Sequence, residues 1–270
     1  MEVIYRLLET ILPFDYIQYD FMKNALLAVL IITPLFGILG TMIVNNRMAF
    51  FSDALGHSAL TGMAVGVLFS MSDKSLSMVI FAVVFSLLLN KIRHSGIAND
   101  TVISVFSSLS TALGLVILSR GGNFSKYSAL LVGDILSIAP TEILQLFLIF
   151  VATLVFWCFA FNKIHAVSLN ASLAKSKRIR VTLIDNIFVV LIAVIVMLSI
   201  RWVGILIINA LLILPAAAAR NLSANMREYH LFSVMFSVFS GILGLVLSYY
   251  LDMAAGPMIV VVTSLLFFVT

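Results

Sequence analysis

Nine apolar runs, at residues 24–44, 48–71, 75–90, 101–118, 141–161, 181–200, 202–219, 231–251 and 256–270, take up most of the chain. In a bilayer each has to be a helix, because an unpaired backbone group in hydrocarbon costs several kcal/mol and only helices and closed barrels pair them all. Barrel strands alternate polar and apolar residues, and these runs do not. The fold class is therefore all-α, a polytopic integral membrane helical bundle. At about 20 residues per crossing the chain has room for roughly eight to ten spans, and the runs themselves predict about 8–9 transmembrane helices. Composition closes the other route. Charged residues make up 10% of the chain and hydrophobic ones 62%, whereas a soluble domain carries about 25% charge. A water-soluble enzyme and a nucleic-acid binder are excluded, and the lipid bilayer is the first partner. With no visible boundary or repeat, residues 1–270 are expected to form one transmembrane domain.

The formal charge of +4 reports orientation rather than an acidic partner, since Lys and Arg collect in cytoplasmic loops. Residues 162–180 hold Lys163, Lys175, Lys177, Arg178 and Arg180 without a single acid, which places that loop in the cytoplasm. Lys91, Arg93, Arg47 and the Arg220–Arg227 turn fit the same side. Counting outward puts the C-terminus inside; the N-terminus is outside if all nine runs cross and inside if one is re-entrant. Glu2, Glu9, Asp15 and Asp20 precede the first long apolar segment, so no cleavable signal peptide is expected. Cys158 stands alone, which excludes an intrachain disulfide.

Within the second run stand Asp53 and His57. An ionisable side chain inside a span is costly and marks a functional site by default. The i, i+4 spacing stacks carboxylate and imidazole on one helix face. Together they offer one oxygen and one nitrogen ligand to a borderline ion such as zinc or manganese; the alternative is an internal pair that fixes helix packing. Two ligands do not close a site, and a two-fold homodimer would supply the four that tetrahedral zinc takes. Gly62 and Gly66 give the same run a small face for close helix contact.

Other polar residues have milder readings. A short helix is expected within 127–136; Asp134 is expected to cap a short helix or anchor a turn, Asn209 to bond between helices or line a pathway, and Asp252 to sit at a helix end in a loop role. His94, His165 and His230 read as lying in or beside loops in contact with solvent, and the methionines as core filler. No P-loop pattern, no His-Glu-x-x-His and no Gly-x-Gly-Asp occurs, so the chain itself does not read as an ATPase or a membrane protease.

Ser52-Asp-Ala-Leu-Gly-His57-Ser-Ala-Leu-Thr-Gly62 resembles the Ser-Asp-Ala-x-x-His signature of the ABC-3 family, the permeases of zinc, manganese and iron ABC importers. Gly133-Asp-Ile-Leu136 is similar to that family's mid-chain Gly-Asp motif, and the stretch from Val203 through Asn209 and Pro215 to Arg220 to its segment ending in Pro-Ala. The resemblance implies a homodimeric permease in a bacterial cell membrane. Two cytoplasmic ABC ATPase subunits would drive it and an extracytoplasmic metal-binding protein would feed it. Asp53 and His57 would be metal ligands for a transported divalent ion, zinc ahead of manganese or iron, with no permanently bound cofactor. Asn209, Pro215 and Gly62 would serve the pathway or its packing.

One loop departs from the family pattern. Where the family reads Asp-x-x-x-Ala followed by Gly, this chain has Asn170, Ala174 and Arg178. The resemblance implies an ATPase-coupling element there, with a short helix at 170–176 presenting Leu173 and Ala174 and with Lys175 and Arg178 beside them. The plainer reading is a basic loop that only sets topology. An ion-gradient-driven secondary metal carrier, with Asp53 as its proton or sodium site, is the rival that needs no ATPase.

Overall fold

The computed structural model describes residues 5–6, 9, 15–93, 99–120 and 129–270, and every regular element among them is a helix. In chain order these are α1 (Asp20–Asn45), α2 (Ala49–Leu68), α3 (Lys74–Arg93), α4 (Asn99–Arg120), α5 (Ala129–Val132), α6 (Pro140–Leu169), α7 (Ala171–Ser176), α8 (Val181–Val203), α9 (Ile205–Leu222), α10 (Met226–Tyr250) and α11 (Ala255–Val269). Short 3-10 turns occupy Asp15–Gln18 and Ile135–Ser137.

Nine of these helices coincide with the nine apolar runs, but among the described residues only 6 are long and apolar enough to cross a membrane on length and composition alone. The segments Ile207–Leu222 and Ala255–Val269 are shorter, and α2 has the length but carries Ser52, Asp53, His57, Ser58 and Thr61. The expected 8–9 spans thus reduce to six that meet the criterion. Thirteen of α2's residues are buried, so it has little surface on which lipid would demand apolarity. Pro140–Ser168 is the converse, with 22% of its most apolar window buried and Leu144, Phe147, Leu148, Val151, Val155 and Phe159 facing outward.

The chain packs as two compact units. One comprises residues up to Thr41, Val132–Ala152 and Trp202–Thr270. Here α10 lies against α1: Ser233 and Ser237 donate their hydroxyls to the carbonyls of Gly37 and Thr33, each at 2.7 Å. A Cβ on Gly37 would stand 2.9 Å from the Cα of Val234, and one on Gly244 would stand 2.5 Å from the Cα of Ile259 in α11. Small residues and hydroxyls are what hold helices together where burial against lipid gives no gain. The same unit holds a crossing of bare backbone. Gly133 (φ 71°) and Gly204 (φ 89°) adopt left-handed conformations, and a Cβ on Gly204 would be 2.3 Å from the Val132 carbonyl. The short helix expected within 127–136 accordingly breaks at Gly133; residues 121–128 lie outside the described residues. Asp134 then caps the following 3-10 turn by accepting the N–H of Leu136. Asp252 sits just past α10, as the sequence suggests.

The other unit comprises Met42–Leu131 and Thr153–Arg201. Its centre is α2, packed between α3 and α4. Gly62 lets α3 approach until a Cβ would be 2.8 Å from the Cα of Met78, and Ser77 donates to the Gly62 carbonyl at 2.7 Å. On the α4 side Gly114 sits against the backbone of Leu60 and Thr61. There the Ser110 hydroxyl donates to that of Thr61 at 3.0 Å. Asn90 of α3 donates to Asn186 of α8 at 2.8 Å.

Two histidines differ from the expectation of solvated positions in or beside loops. His230 lies inside α10, bonded through Nε2 to Thr41 (2.9 Å) and through Nδ1 to the Met226 carbonyl (2.8 Å). His165 lies in α6 and stacks on Phe161, with ring centroids 6.0 Å apart. Both sit near helix ends, where hydropathy alone does not separate a loop from a last turn. His94 lies outside the described residues.

Candidate metal site and its surroundings

The packing of α2 against α3 and α4 buries its Gly62 face and leaves another open, and that open face bears the ionisable pair. His57 Nε2 stands 3.8 Å from Asp53 Oδ2, with the side chains 30% and 43% exposed. The separation is too long for a hydrogen bond. It is short enough to bridge: an ion bonded to oxygen and nitrogen at about 2.0–2.2 Å reaches both. Among the described residues no hydrogen bond is made to the Asp53 carboxylate, and His57 Nδ1 is buried without a partner. A packing pair would be expected to satisfy itself, since a buried polar group left unpaired costs about 1–3 kcal/mol. A ligand histidine, for its part, normally donates its second nitrogen to a supporting group. Neither closure occurs among the described residues. No cluster of three or more His, Cys, Asp or Glu that could hold an ion is found among the described residues.

Asp53 also lines a cavity of about 460 Å³, with Phe50 from its own helix and Ile103, Ser104, Ser107 and Ser108 from α4. The sequence reading missed these serines. The available signal was hydroxyls at i, i+3 and i+4 inside an apolar run, the spacing of one helix face.

The remaining predicted residues are placed as follows. Gly62 lies on α2 against α3. Asn209 and Pro215 both lie in α9, in the unit that does not contain α2, with Pro215 inside the helix. Asn170 is the N-cap of α7 and accepts the N–H groups of Ser172 (2.9 Å) and Leu173 (3.1 Å). Asn caps as well as Asp, so the loop's first departure from the family pattern preserves the local geometry. Arg178 does likewise. It holds φ 58°, its N–H bonds the Lys175 carbonyl, and Ile179 N–H bonds that of Ala174, the Schellman arrangement that normally ends on glycine. Leu173 is 57% exposed, whereas Ala174 is 1% exposed and serves the chain's own packing. Of the pair expected to be presented together, Leu173 alone is on the surface. Lys175 and Arg178 are exposed beside it.

The family model for the ABC 3 transport family matches residues 18–270. The chain belongs to that family. It is a multi-pass membrane permease rather than an enzyme. The chain is 28% identical over 247 residues to the high-affinity zinc uptake system membrane protein ZnuB of Buchnera aphidicola subsp. Baizongia pistaciae, covering 90% of this chain and 94% of that protein. It is 27% identical over 254 residues to the manganese import system permease protein ScaB of Streptococcus parasanguinis, covering 94% and 90% respectively. Among solved structures, PsaBC from Streptococcus pneumoniae in complex with Fab has the same fold, with a TM-score of 0.81, 24% identity and coverage of 100% of this chain and 95% of that one.

Proposed function

We propose that this chain is the membrane-spanning permease subunit of an ATP-driven importer of divalent metal ions, with zinc as its cargo and manganese or iron as the alternatives. The observation that carries the reading is the pair Asp53 and His57, one carboxylate and one imidazole 3.8 Å apart on an otherwise protein-wrapped helix. One hard oxygen and one imidazole nitrogen suit a borderline divalent ion. Family relatives that take up zinc and import manganese support a metal cargo. The similarity of the Asn209–Pro215 stretch to the zinc branch favours zinc.

In this reading residues 1–270 act as one permease domain in a bacterial cell membrane, with the C-terminus in the cytoplasm. Two copies form the pathway, so that two Asp53–His57 pairs provide four ligands around the axis. The partial exposure of both side chains leaves room for ligands from a second copy. An extracytoplasmic metal-binding protein delivers the ion, and ABC ATPase subunits dock on the loop of Asn170, Leu173, Ala174, Lys175 and Arg178. Asn209 and Pro215 serve the pathway or its packing. Ligation by few groups is strong enough to draw the ion from water and weak enough to release it when the helices rearrange.

The test is uptake of radioactive zinc by cells carrying the permease with its neighbouring subunits, comparing wild type with His57→Ala at equal membrane abundance. ATP-dependent uptake that disappears in the variant is expected. Equal uptake by both would return His57 to a packing role. Uptake abolished by dissipating ion gradients while ATP is held constant would favour the secondary carrier.

A further inference from the structure

Asp53 faces α4 across the cavity, and α4 answers with three hydroxyls and no charge. Ser104, Ser107 and Ser108 stand on the cavity wall at i, i+3 and i+4, on a span, Thr101–Ser119, with 28% of its most apolar window buried. Ser104 and Ser108 are exposed in the chain, and Ser107 is half-buried. Elsewhere in the spans hydroxyls turn back onto the helix: Thr111 bonds the Ser107 carbonyl at 2.8 Å, Ser119 that of Val116 at 2.9 Å, and Ser86 that of Val83 at 2.9 Å. The three on the cavity wall make no hydrogen bond among the described residues, and neither does the carboxylate they face. Four oxygen-bearing side chains left unpaired at membrane depth cannot face hydrocarbon without cost. Their partner has to be water or something that arrives with water.

We propose that this cavity is an exit site where a divalent cation stands within its water shell, held by the Asp53 charge and by hydrogen bonds from its waters to Ser104, Ser107 and Ser108. This rests on the importer reading and deepens it, because the cavity lies at the ends of α2 and α4 that follow the basic loops of Arg47 and Lys91, the cytoplasmic side, and would be the step after direct ligation by Asp53 and His57. Its chemistry differs from theirs. The wall offers oxygens alone and no imidazole, and hydroxyls are poor direct ligands for a borderline ion but good acceptors for water bound to one. Size agrees: a water occupies about 30 Å³ in the liquid, so some 460 Å³ admits an ion with its first shell. With one negative charge and three neutral dipoles the ion is attracted without being trapped. The water it regains here offsets the loss of His57, one helical turn along α2.

Cysteine accessibility tests this on the full chain in lipid nanodiscs, where reagent reaches both faces. Cys158, the one native cysteine, is first replaced by serine. Ser104→Cys, Ser107→Cys and Ser108→Cys are then compared with Val105→Cys and Leu109→Cys, apolar exposed positions on the same helix. A membrane-impermeant maleimide reacts with thiolate, which forms in water and not in lipid, so the three serine positions are expected to label at least about tenfold faster than the two controls. Manganese ions in the buffer are expected to slow that labelling, and Asp53→Asn to remove the slowing. Labelling at the serine positions no faster than at Val105 and Leu109 would overturn the proposal. So would fast labelling that neither manganese nor magnesium slows, and that result would leave the importer reading to be judged by uptake alone.

Discussion

Serines hold helices together in both units, at Ser233 and Ser237 in one and at Ser77 and Ser110 in the other, but only the unit that contains α2 also sets a group of them, unpaired among the described residues, around a cavity. Along α10 four serines bond carbonyls: Ser233 and Ser237 those of Gly37 and Thr33 on α1, and Ser240 and Ser248 those of Ser237 and Leu245 on their own helix. Around the open face of α2, Ser104, Ser107 and Ser108 of α4, the Asp53 carboxylate and Nδ1 of the His57 ring stand without such bonds among the described residues. The first set is closed on itself and holds helices at the distance that Gly37, Gly241 and Gly244 allow. The second is left open at a cost, and an open polar group at membrane depth is kept only if something else completes it. The paired serines of α10 belong to the scaffold and the unpaired oxygens around Asp53 to the working surface, a contrast of clusters and not of single atoms, since the buried Tyr229 hydroxyl on α10 also lacks a partner among the described residues.

The contrast can be broken from either end. The largest effect is expected from Gly204→Val in the scaffold. Its Cβ would lie 2.3 Å from the backbone of Val132 at a position with φ 89°, so the protein should disappear from the membrane, as read by its abundance in a fractionated lysate. On the working surface a change should leave abundance untouched and remove function. Acidification gives a graded version: a protonated imidazole cannot ligate metal, so zinc affinity measured by equilibrium dialysis should fall with falling pH. In His57→Ala the weak residual affinity should lose that part of the slope. A smaller effect is expected for Ser237→Ala, which removes one interhelical hydrogen bond worth about 0.6 kcal/mol; detergent thermal unfolding should shift slightly, with uptake per molecule unchanged.

The smallest effect should run the other way. A non-glycine residue in the left-handed region costs roughly 1–2 kcal/mol, and glycine's extra freedom in the unfolded chain returns about 0.5–1 kcal/mol of that. Arg178→Gly should therefore stabilise the end of α7 by about 0.5–1 kcal/mol, visible as slower amide exchange at Ile179.

What could be read from the sequence divides along the same line. The all-helical fold was legible because nine apolar runs admit no other way of pairing their backbones. Asp53, His57 and Gly62 were legible because each stands out within a single run. The serine wall was not, since Asp53 and Ser104 are fifty-one positions apart and only the packing of α2 on α4 sets them across one cavity. His230 was misjudged for a related reason: its bond to Thr41 joins segments far apart in the chain, and local hydropathy carries no trace of it. Counting spans also needed the fold, because α2 is too polar to register as one by itself and is wrapped by its neighbours. At α7 the substitutions Asn170 and Arg178 read as departures, yet both hold the geometry that the usual residues would give.

That last feature bears on timing. A six-residue helix has no stability of its own in water, yet α7 is wound with its first N–H groups taken by Asn170 and its last carbonyls by Arg178 and Ile179. A partner that grips Leu173 meets a shape already formed, so no ordering has to accompany the encounter. Association at this loop would then be set by collision and charge rather than by refolding. Each catalytic stroke of a motor beneath it would be passed on through a stiff joint.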